Sequence, residues 1–160
     1  MDEKIKTIIA DDNKAFCKLI SDYLKKHEDI EILGIAYNDE DEIKMIEELK
    51  PEIVITDLVR NHKYTGLEII KDYYSKNRAV EFLVISADER RFVITNDIEI
   101  AGYIKKPFTN YEIIYSELIR IKEEIIKPKK LLIENSNKIK LHSNFFSKIL
   151  EIFKGRVKNR

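Results

Sequence analysis

The residues of this chain that could do chemistry share one kind of position, at or just after the end of a short apolar run. The set consists of Asp11, Asp12, Asp57, Ser86 and Lys106. Carboxylate oxygens without histidine or cysteine suit Mg²⁺, which takes hard oxygen ligands and keeps several waters. A cation, a lysine, a hydroxyl and one free carboxylate are together the parts needed to transfer a phosphoryl group onto that carboxylate. These residue types therefore predict magnesium-dependent phosphoryl transfer.

The apolar runs predict the strands of one parallel sheet. The run that ends at Asp57 is rich in β-branched residues and almost unbroken, as in strands buried on both faces. Five such runs alternate with helical patterns, so we expect right-handed βαβ crossovers with helices on both faces of the sheet. Ligand chemistry in such sheets lies beyond the carboxyl ends of the strands. Because the first and third strands are neighbours in a doubly wound sheet, we expect Asp11, Asp12 and Asp57 to meet there.

The same patterns predict the bounds of the elements. Strands are expected at 6–10, 30–36, 52–58, 80–85 and 100–104, and helices at 14–27, 39–50, 67–76, 88–99 and 110–127. Asn38 or Asp39 can cap the second helix, and Thr109 with Glu112 forms a capping box for the last one. Adjacent β-branched and aromatic residues make the helix at 88–99 a poor one.

Composition indicates one domain of ordinary size plus something small. The 160 residues are 44% hydrophobic and 36% charged, which allows a real core and a polar surface. No apolar run is long enough to span a bilayer, and the N-terminus shows no signal-peptide pattern. The one cysteine, Cys17, excludes an internal disulfide, and its apolar neighbours predict a packed residue and not a nucleophile. These features suit a reducing cytoplasm.

The net charge of zero hides an asymmetry along the chain. Residues 127–160 contain ten lysines and arginines against two acids, so they carry +8 and residues 1–126 carry −8. Such a change in charge is a boundary signal. We therefore predict one domain at residues 1–126 and a basic C-terminal extension at residues 127–160.

Short-range signals predict the structure of the extension. Pro128 is expected to end the preceding helix. Asn135-Ser136-Asn137 lies between two apolar stretches and predicts a small hairpin over residues 130–141. Ser143 can cap a final amphipathic helix, whose three phenylalanines favour packing on protein. This basic helix could alternatively dimerise, or it could contact nucleic acid or an anionic membrane.

Four segments, in this order, resemble the receiver domain of two-component response regulators. They are IIADDN at 8–13, VITD at 54–57, VISA at 84–87 and GYIKKPF at 102–108. The resemblance covers about residues 4–126, and the opening looks most like the receiver of the sporulation regulators of spore-forming Firmicutes. It implies a (βα)5, flavodoxin-like α/β fold, a doubly wound five-stranded parallel sheet.

The resemblance also implies roles at the acidic positions. Asp57 would accept a phosphoryl group from a sensor histidine kinase or a phosphotransfer protein. Asp11 and Asp12 would position Mg²⁺, together with Asp57 and the main-chain carbonyl of Val59. Asp11 could serve as a helix N-cap at the same time. The protein would then be a cytoplasmic signalling receiver and not an enzyme acting on an external substrate, because it catalyses only its own phosphorylation and dephosphorylation.

Further roles follow from the resemblance at the last two strands. Ser86 and Lys106 would bind the phosphoryl oxygens. Tyr103 would be the aromatic residue that packs inward when Ser86 moves, and the peptide between Lys106 and Pro107 would be cis. Phosphorylation would in this way change a surface that meets a partner or forms a homodimer.

Three departures from the family pattern leave open how phosphorylation would be passed on to a partner. Arg60-Asn61 stand where receivers usually carry Met-Pro, Gly66 follows Asp57 later than expected, and the interval 86–106 is short. One alternative is therefore a phosphorylation-independent receiver that acts as an interaction module, and another is a truncated DNA-binding transcription regulator. An aspartyl-phosphate hydrolase is disfavoured, because the first strand is followed by Asp-Asp-Asn and not by Asp-x-Asp.

Overall fold

The computed structural model describes residues 3–76, 79–88 and 100–140, and within them five strands form one sheet. The strands are Ile5–Ala10 (β1), Ile30–Ala36 (β2), Ile53–Thr56 (β3), Glu81–Ser86 (β4) and Gly102–Lys105 (β5). The helices are Lys14–Leu24 (α1), Asp39–Leu49 (α2), Thr65–Ser75 (α3) and Glu112–Ile121 (α4). Each predicted strand is present, and its ends differ from the predicted ones by at most two residues.

All neighbouring strands run parallel, in the order β2-β1-β3-β4-β5. Thr56 at the end of β3 is paired with Ala10 of β1 and with Val84 of β4. The carboxyl ends of these three strands are therefore nearly level, and the residues that follow them lie side by side. The predicted doubly wound (βα)5 fold is confirmed, although the helix expected at 88–99 lies almost wholly outside the described residues.

The central strand β3 is buried on both faces because its side chains enter two different apolar clusters. Ile53 and Ile55 pack with residues of α1 and α4, whereas Val54 packs with residues of α2 and α3. Burial on both faces explains why this strand is an unbroken apolar run and does not alternate with polar residues. The first polar position after the run, Asp57, is thereby fixed at the edge of the core.

Asparagine side chains cap the starts of α1 and α2. Asn13 and Asn38 each accept a hydrogen bond from the backbone N–H three residues later, at 3.1 and 2.8 Å. The capping box predicted for α4 is wrong. That helix begins at Glu112, and its backbone N–H donates to Asn110 at 3.0 Å instead of to Thr109. An asparagine side chain readily accepts a hydrogen bond from the backbone two residues later, and this bond forms in place of the predicted bond to Thr109.

The last helix does not end at Pro128, contrary to the prediction. A π-helical turn, Lys122–Ile126, follows α4, and residues 127–140 continue as α-helix, here called the distal helix. The N–H of Lys127 donates to the carbonyl five residues back, so the turn is widened where an α-helical carbonyl would meet the proline ring. The hairpin predicted over 130–141 is also wrong in its described part, because residues 130–140 belong to the distal helix.

The distal helix is tied to the amino-terminal edge of the sheet by lysines. Lys129 Nζ lies 2.7 Å from Glu81 Oε1, and Lys130 Nζ lies 2.5 Å from Glu52 Oε1 and 3.3 Å from Glu3 Oε2. Part of the basic extension thus pairs with the acidic body of the protein. The same helix leaves four apolar side chains between 59% and 69% exposed: Leu131, Leu132, Ile133 and Ile139.

Helices α1 to α4 are amphipathic. In α1, for example, Cys17, Ile20 and Leu24 are fully buried while Leu19 is largely exposed. Within the described ranges, no helix is long and apolar enough to cross a membrane. The final helix predicted after Ser143 lies outside those ranges.

Candidate functional site

Asp57 lies at the carboxyl end of β3 with donors on both carboxylate oxygens. The Ser86 hydroxyl donates to Oδ1 at 2.6 Å, and Lys106 Nζ donates to Oδ2 at 2.6 Å. The backbone N–H of Val59 also donates to Oδ1, at 3.2 Å. The Asp57 side chain is still 12% exposed, so an incoming group can reach it. Three side chains from the carboxyl ends of three different strands are therefore brought together.

The Lys106 ammonium group bridges two carboxylates. Besides Asp57 it contacts Asp11 Oδ2 at 2.7 Å, and it lies 4.4 Å from the centre of the Phe16 ring. Burial alone would lower the pKa of Lys106, but its hydrogen bonds to Asp11 and Asp57 raise that pKa above the usual value. Lys106 therefore supplies a permanent positive charge beside Asp57.

Asp11 is the buried carboxylate of the bridged pair. Its Oδ1 accepts the backbone N–H of Asn13 at 2.8 Å, while Oδ2 faces Lys106. Burial raises the pKa of Asp11, and the hydrogen bonds from Lys106 and Asn13 oppose this shift without cancelling it. Because Asn13 is the N-cap of α1, Asp11 does not serve as the helix cap.

Asp12 is exposed and faces the loop that follows β3. Its Oδ2 accepts the backbone N–H of Asn61 at 3.0 Å. In this loop Arg60 and Lys63 exchange two backbone hydrogen bonds of 2.9 Å, which close a tight turn. Asn61 and His62 have positive φ values of 48° and 61°, as in a type I′ turn. The segment that departs from the usual Met-Pro thus brings a backbone donor to Asp12.

The oxygens around Asp57 fit a magnesium ion in their chemistry. One ammonium group contacts both Asp11 and Asp57, so the two carboxylates lie within reach of one small cation. Among the described residues, no group of three or more acidic, histidine or cysteine side chains is already arranged around a common metal position. Mg²⁺ keeps several waters and needs few protein ligands. The exposed Asp12 and the Val59 carbonyl are the other predicted ligands of this set.

Strands β4 and β5 place Tyr103 next to the segment that carries Ser86. The Tyr103 hydroxyl donates to the carbonyl of Asp88 and, at 3.4 Å, to the carbonyl of Ser86. The backbone N–H of Lys106 donates to the same Ser86 carbonyl at 2.8 Å. The peptide between Lys106 and Pro107 is cis, as the resemblance implied. The switching role of Tyr103 stays a prediction.

Gly66 packs directly against the backbone of Asp57. A Cβ atom at this position would lie 1.9 Å from the carbonyl oxygen of Asp57 and 3.2 Å from the Cα of Leu58. Only glycine therefore lets the first turn of α3 approach the end of β3 so closely. Although Gly66 comes later in the chain than the family pattern predicts, it closes the loop after Asp57.

Arg60 makes contacts beside the site that the sequence did not indicate. Its side chain is 3% exposed, and Nη1 lies 2.6 Å from both Asp39 Oδ1 and Glu42 Oε2. Nη2 donates to Thr56 Oγ1 at 2.5 Å. The one signal in the sequence was an arginine where receivers usually carry methionine. Nothing in the amino-acid pattern pointed to partners in α2.

The chain matches the family model for the response regulator receiver domain over residues 7–116, and it belongs to that family. Members of the family act as signalling domains of two-component systems and generally bind Mg²⁺ at the phosphorylation site. They typically interact with histidine kinases or phosphotransfer proteins, and some dimerise. The finer likeness to sporulation regulators stays a prediction.

A curated relative is the protein-glutamate methylesterase/protein-glutamine glutaminase of Bacillus subtilis (strain 168), which is 30% identical over 128 residues. The match covers 77% of this chain and 34% of the relative, so the chain spans about a third of that protein's length. The methylesterase activity is a property of that whole protein, whereas the receiver family to which this chain belongs is a signalling domain.

Solved structures of receiver domains share the fold. The signal receiver domain of NarL from Mycobacterium tuberculosis has a TM-score of 0.66 at 23% identity and covers 76% of this chain and 98% of its own. A LuxR-family DNA-binding response regulator from Staphylococcus aureus has a TM-score of 0.64 at 26% identity, with coverage of 73% and 98%. The response regulator domain of Thermotoga maritima CheB has a TM-score of 0.64 at 17% identity, and the match covers 78% of this chain and 98% of that domain.

Proposed function

We propose that this receiver accepts a phosphoryl group on Asp57 from a sensor histidine kinase or a phosphotransfer protein in the cytoplasm. Mg²⁺ is the cofactor, and phosphorylation changes a protein-interaction surface. One observation carries the proposal: the Asp57 carboxylate is held between Ser86 Oγ and Lys106 Nζ, each at 2.6 Å, and still reaches solvent. A hydroxyl and an ammonium group are the donors that a phosphoryl group at Asp57 would need.

The transfer forms one bond and breaks another. An Asp57 carboxylate oxygen bonds to phosphorus, the bond between phosphorus and the donor's imidazole nitrogen breaks, and that nitrogen keeps the electron pair. Lys106 and Ser86 then donate to the phosphoryl oxygens instead of to the bare carboxylate, which stabilises charge where it develops. Water attack at phosphorus later restores the carboxylate and releases inorganic phosphate.

The cation would be held by Asp11, Asp12, Asp57 and the Val59 carbonyl. When bound, it neutralises charge on the phosphoryl oxygens and orients them for displacement. Asp11 is at present neutralised by Lys106. As Lys106 turns toward the phosphoryl group, the Asp11 carboxylate is left to the cation. Lys106 would thus bind the phosphoryl group while the cation takes its place beside Asp11.

The switch that we propose starts at Ser86. Its hydroxyl now donates to Asp57, and a phosphoryl group on Asp57 offers it a new acceptor. Movement of Ser86 pulls on the segment whose carbonyls accept hydrogen bonds from Tyr103. Phosphorylation therefore shifts an equilibrium between two packings of β4 and β5.

A small phosphodonor with a phosphorus–nitrogen bond, phosphoramidate, tests the proposal without a cognate kinase. Incubation with Mg²⁺ is expected to add the mass of one phosphoryl group to the intact protein. Asp57→Asn and chelation of Mg²⁺ by EDTA should each abolish the gain. A folded wild-type protein that gains no mass would contradict the proposal.

A phosphorylation-independent interaction module is the second candidate. The observation in its favour is that each carboxylate already has a protein donor: Lys106 for Asp11 and Asp57, and the Asn61 N–H for Asp12. On this hypothesis the site is satisfied without a cation. Calorimetric titration with Mg²⁺ separates the two functions, because the module would bind none at millimolar concentrations whereas the phosphoacceptor would bind one ion.

A further inference from the structure

A buried ion pair lies directly behind the candidate site. Arg60 is 3% exposed and Glu42, in the first turn of α2, is fully buried, and Nη1 meets Oε2 at 2.6 Å. The same Nη1 contacts Asp39 Oδ1 at 2.6 Å. Nη2 donates to Thr56 Oγ1 at 2.5 Å and lies 3.5 Å from the Asp57 carbonyl oxygen. One guanidinium group thus joins the start of α2 to the end of β3.

Stability alone is a weak reason for such a pair. Removing two charges from water costs about as much as their attraction returns, and apolar replacements of whole buried pairs are often neutral or stabilising. An arginine does, however, present a planar fork that fixes the direction of several partners at once. Arg60 contacts carboxylate and hydroxyl oxygens of three side chains and also the Asp57 carbonyl. Its contribution is therefore to fix the positions of these groups relative to one another.

The ion pair fixes the loop between β3 and α3 from the inner side. Arg60 near the start of this loop and Thr65 at its end both contact Asp39 Oδ1, at 2.6 and 3.0 Å. On the outer side the N–H of Asn61 donates to Asp12 Oδ2 at 3.0 Å. The loop is therefore tied on its inner side to the start of α2 and on its outer side to a candidate metal ligand.

We propose that Arg60 is a positioning residue for the cation. Through Asp39 and Glu42 it holds the loop so that the Val59 carbonyl and the Asp12 carboxylate face one cation position. The inference rests on the proposed function, because it assumes that a cation binds there. Arg60 itself touches neither the cation position nor the phosphoryl group, and it acts through the loop backbone.

The test removes both buried charges together, so that neither is left unpaired. The double variant Arg60→Met/Glu42→Leu is expected to keep an unfolding midpoint close to that of the wild type. Its dissociation constant for Mg²⁺, measured by isothermal titration calorimetry, should rise about tenfold or more, as for other groups that orient metal ligands. Hydrogen exchange at the Asn61 amide should become faster as well, since the loop is released.

Arg120→Met is the matched control. Arg120 Nη2 donates to the Ala101 carbonyl at 2.5 Å, so this arginine also ties a helix to the backbone. That contact lies at the amino-terminal end of β5, away from the site. The variant should leave both the Mg²⁺ affinity and the Asn61 exchange rate unchanged.

An unchanged Mg²⁺ affinity and an unchanged Asn61 exchange rate in the folded double variant would overturn the inference. If the double variant does not fold, Asp39→Asn takes its place, because Asp39 is partly exposed and also joins the two halves of the loop. A smaller change of the same sign then supports the inference, and no change overturns it. If the wild type binds no Mg²⁺, the proposed function fails and the inference fails with it. If the wild type binds Mg²⁺ and the folded variant binds it equally well, the inference alone fails.

Discussion

At the scale of single residues, the site depends on one ammonium group shared by two carboxylates. Lys106 neutralises one of the charges on Asp11 and Asp57, and its own pKa is held above the usual value by their hydrogen bonds despite burial. Three carboxylates against one lysine leave a negative site, which favours a cation. On the proposed function, the cation and Lys106 would share the charge of an incoming phosphoryl group.

Replacement of Lys106 should therefore slow phosphorylation strongly. Lys106→Ala removes a donor that faces developing charge, and such losses cost about 10²–10³ in rate. The rate of mass gain with phosphoramidate and Mg²⁺ measures the effect. Lys105→Ala is the matched control, since Lys105 is the exposed last residue of β5, directly before Lys106. Equal rates for the two variants would exclude a role for Lys106 in the transfer.

Cys17 provides a pH test of the packing beneath Asp11. Its thiol is fully buried and donates to the Asp11 carbonyl at 3.4 Å, and burial raises its pKa to about 11. Because only the thiolate reacts, the reactive fraction at pH 8 is about a hundredfold below that of a thiol with an unshifted pKa of 9.0. Iodoacetamide should leave the native protein unmodified up to about pH 9 and alkylate it in denaturant. Fast alkylation of the native protein would show that α1 is not packed as described.

The clustering of the polar residues at strand ends could be predicted from the sequence, but the contacts of Arg60 could not. Asp11, Asp57, Ser86 and Lys106 each follow a recognisable strand, so a parallel sheet places them together. Arg60 has no such marker, because its partners lie in a helix that only the folded chain brings near. The sequence showed only that an arginine replaces the methionine that receivers usually carry at this position. It did not show which residues the arginine contacts.

At the scale of elements, α3 is positioned by one glycine. The first turn of this helix lies against the Asp57 carbonyl, where a Cβ of Gly66 would approach to 1.9 Å. The strand that carries Asp57 and the helix that follows it are therefore in backbone contact. A shift of α3 moves the loop between them, and with it the candidate ligand Val59.

Gly66→Ala should destabilise the protein and weaken the site together. A clash with backbone cannot be relieved by rotating a side chain, so we expect a loss of about 1–3 kcal/mol in the free energy of unfolding. Urea denaturation measures this loss, and Mg²⁺ titration measures the effect on the site. Gly34→Ala is the control, because its nearest contacts would be with side chains and not with backbone, the closest being the flexible Met45 Sδ at 2.9 Å. A Gly66→Ala protein as stable as Gly34→Ala would contradict the described contact.

The errors in the predicted elements have local causes. Pro128 and the Asn-Ser-Asn segment are strong breaking signals in a short window of sequence. The π-helical turn before Pro128 removes the steric reason for a break, and pairing of Lys129 and Lys130 with the sheet edge stabilises the continued helix. Neither feature has a signature in the pattern of residues, so the helix over 127–140 was not predictable from it.

At the scale of the whole molecule, opposite charges join the extension to the body. The asymmetry of +8 against −8 was visible in the sequence. The structure shows where part of it is used, at Glu52 and Glu81 on the amino-terminal edge of the sheet. This edge is opposite the candidate site, which lies at the carboxyl ends of the strands. The described part of the basic extension, residues 127–140, and Asp57 therefore lie at different ends of the sheet.

These ion pairs should contribute little stability and should be sensitive to salt. Lys130→Ala removes contacts with Glu52 and Glu3, and partly exposed pairs are worth about 0.2–1 kcal/mol each. Urea denaturation should show a loss of at most about 2 kcal/mol at low salt, which disappears at about 1 M salt. Lys138→Ala, further along the same helix, controls for the change in net charge. Equal effects of the two substitutions would show that the described contacts are not what holds the helix.

The most direct test of the account is the chemical identification of the phosphorylated residue. After reaction with phosphoramidate and Mg²⁺, borohydride reduces an aspartyl phosphate to homoserine, which peptide mass spectrometry locates in the sequence. Homoserine is expected at position 57 and nowhere else, and none is expected when Mg²⁺ is withheld. Homoserine at Asp11 or Asp12, or no homoserine in a folded protein, would contradict the assignment of Asp57 as the phosphoacceptor.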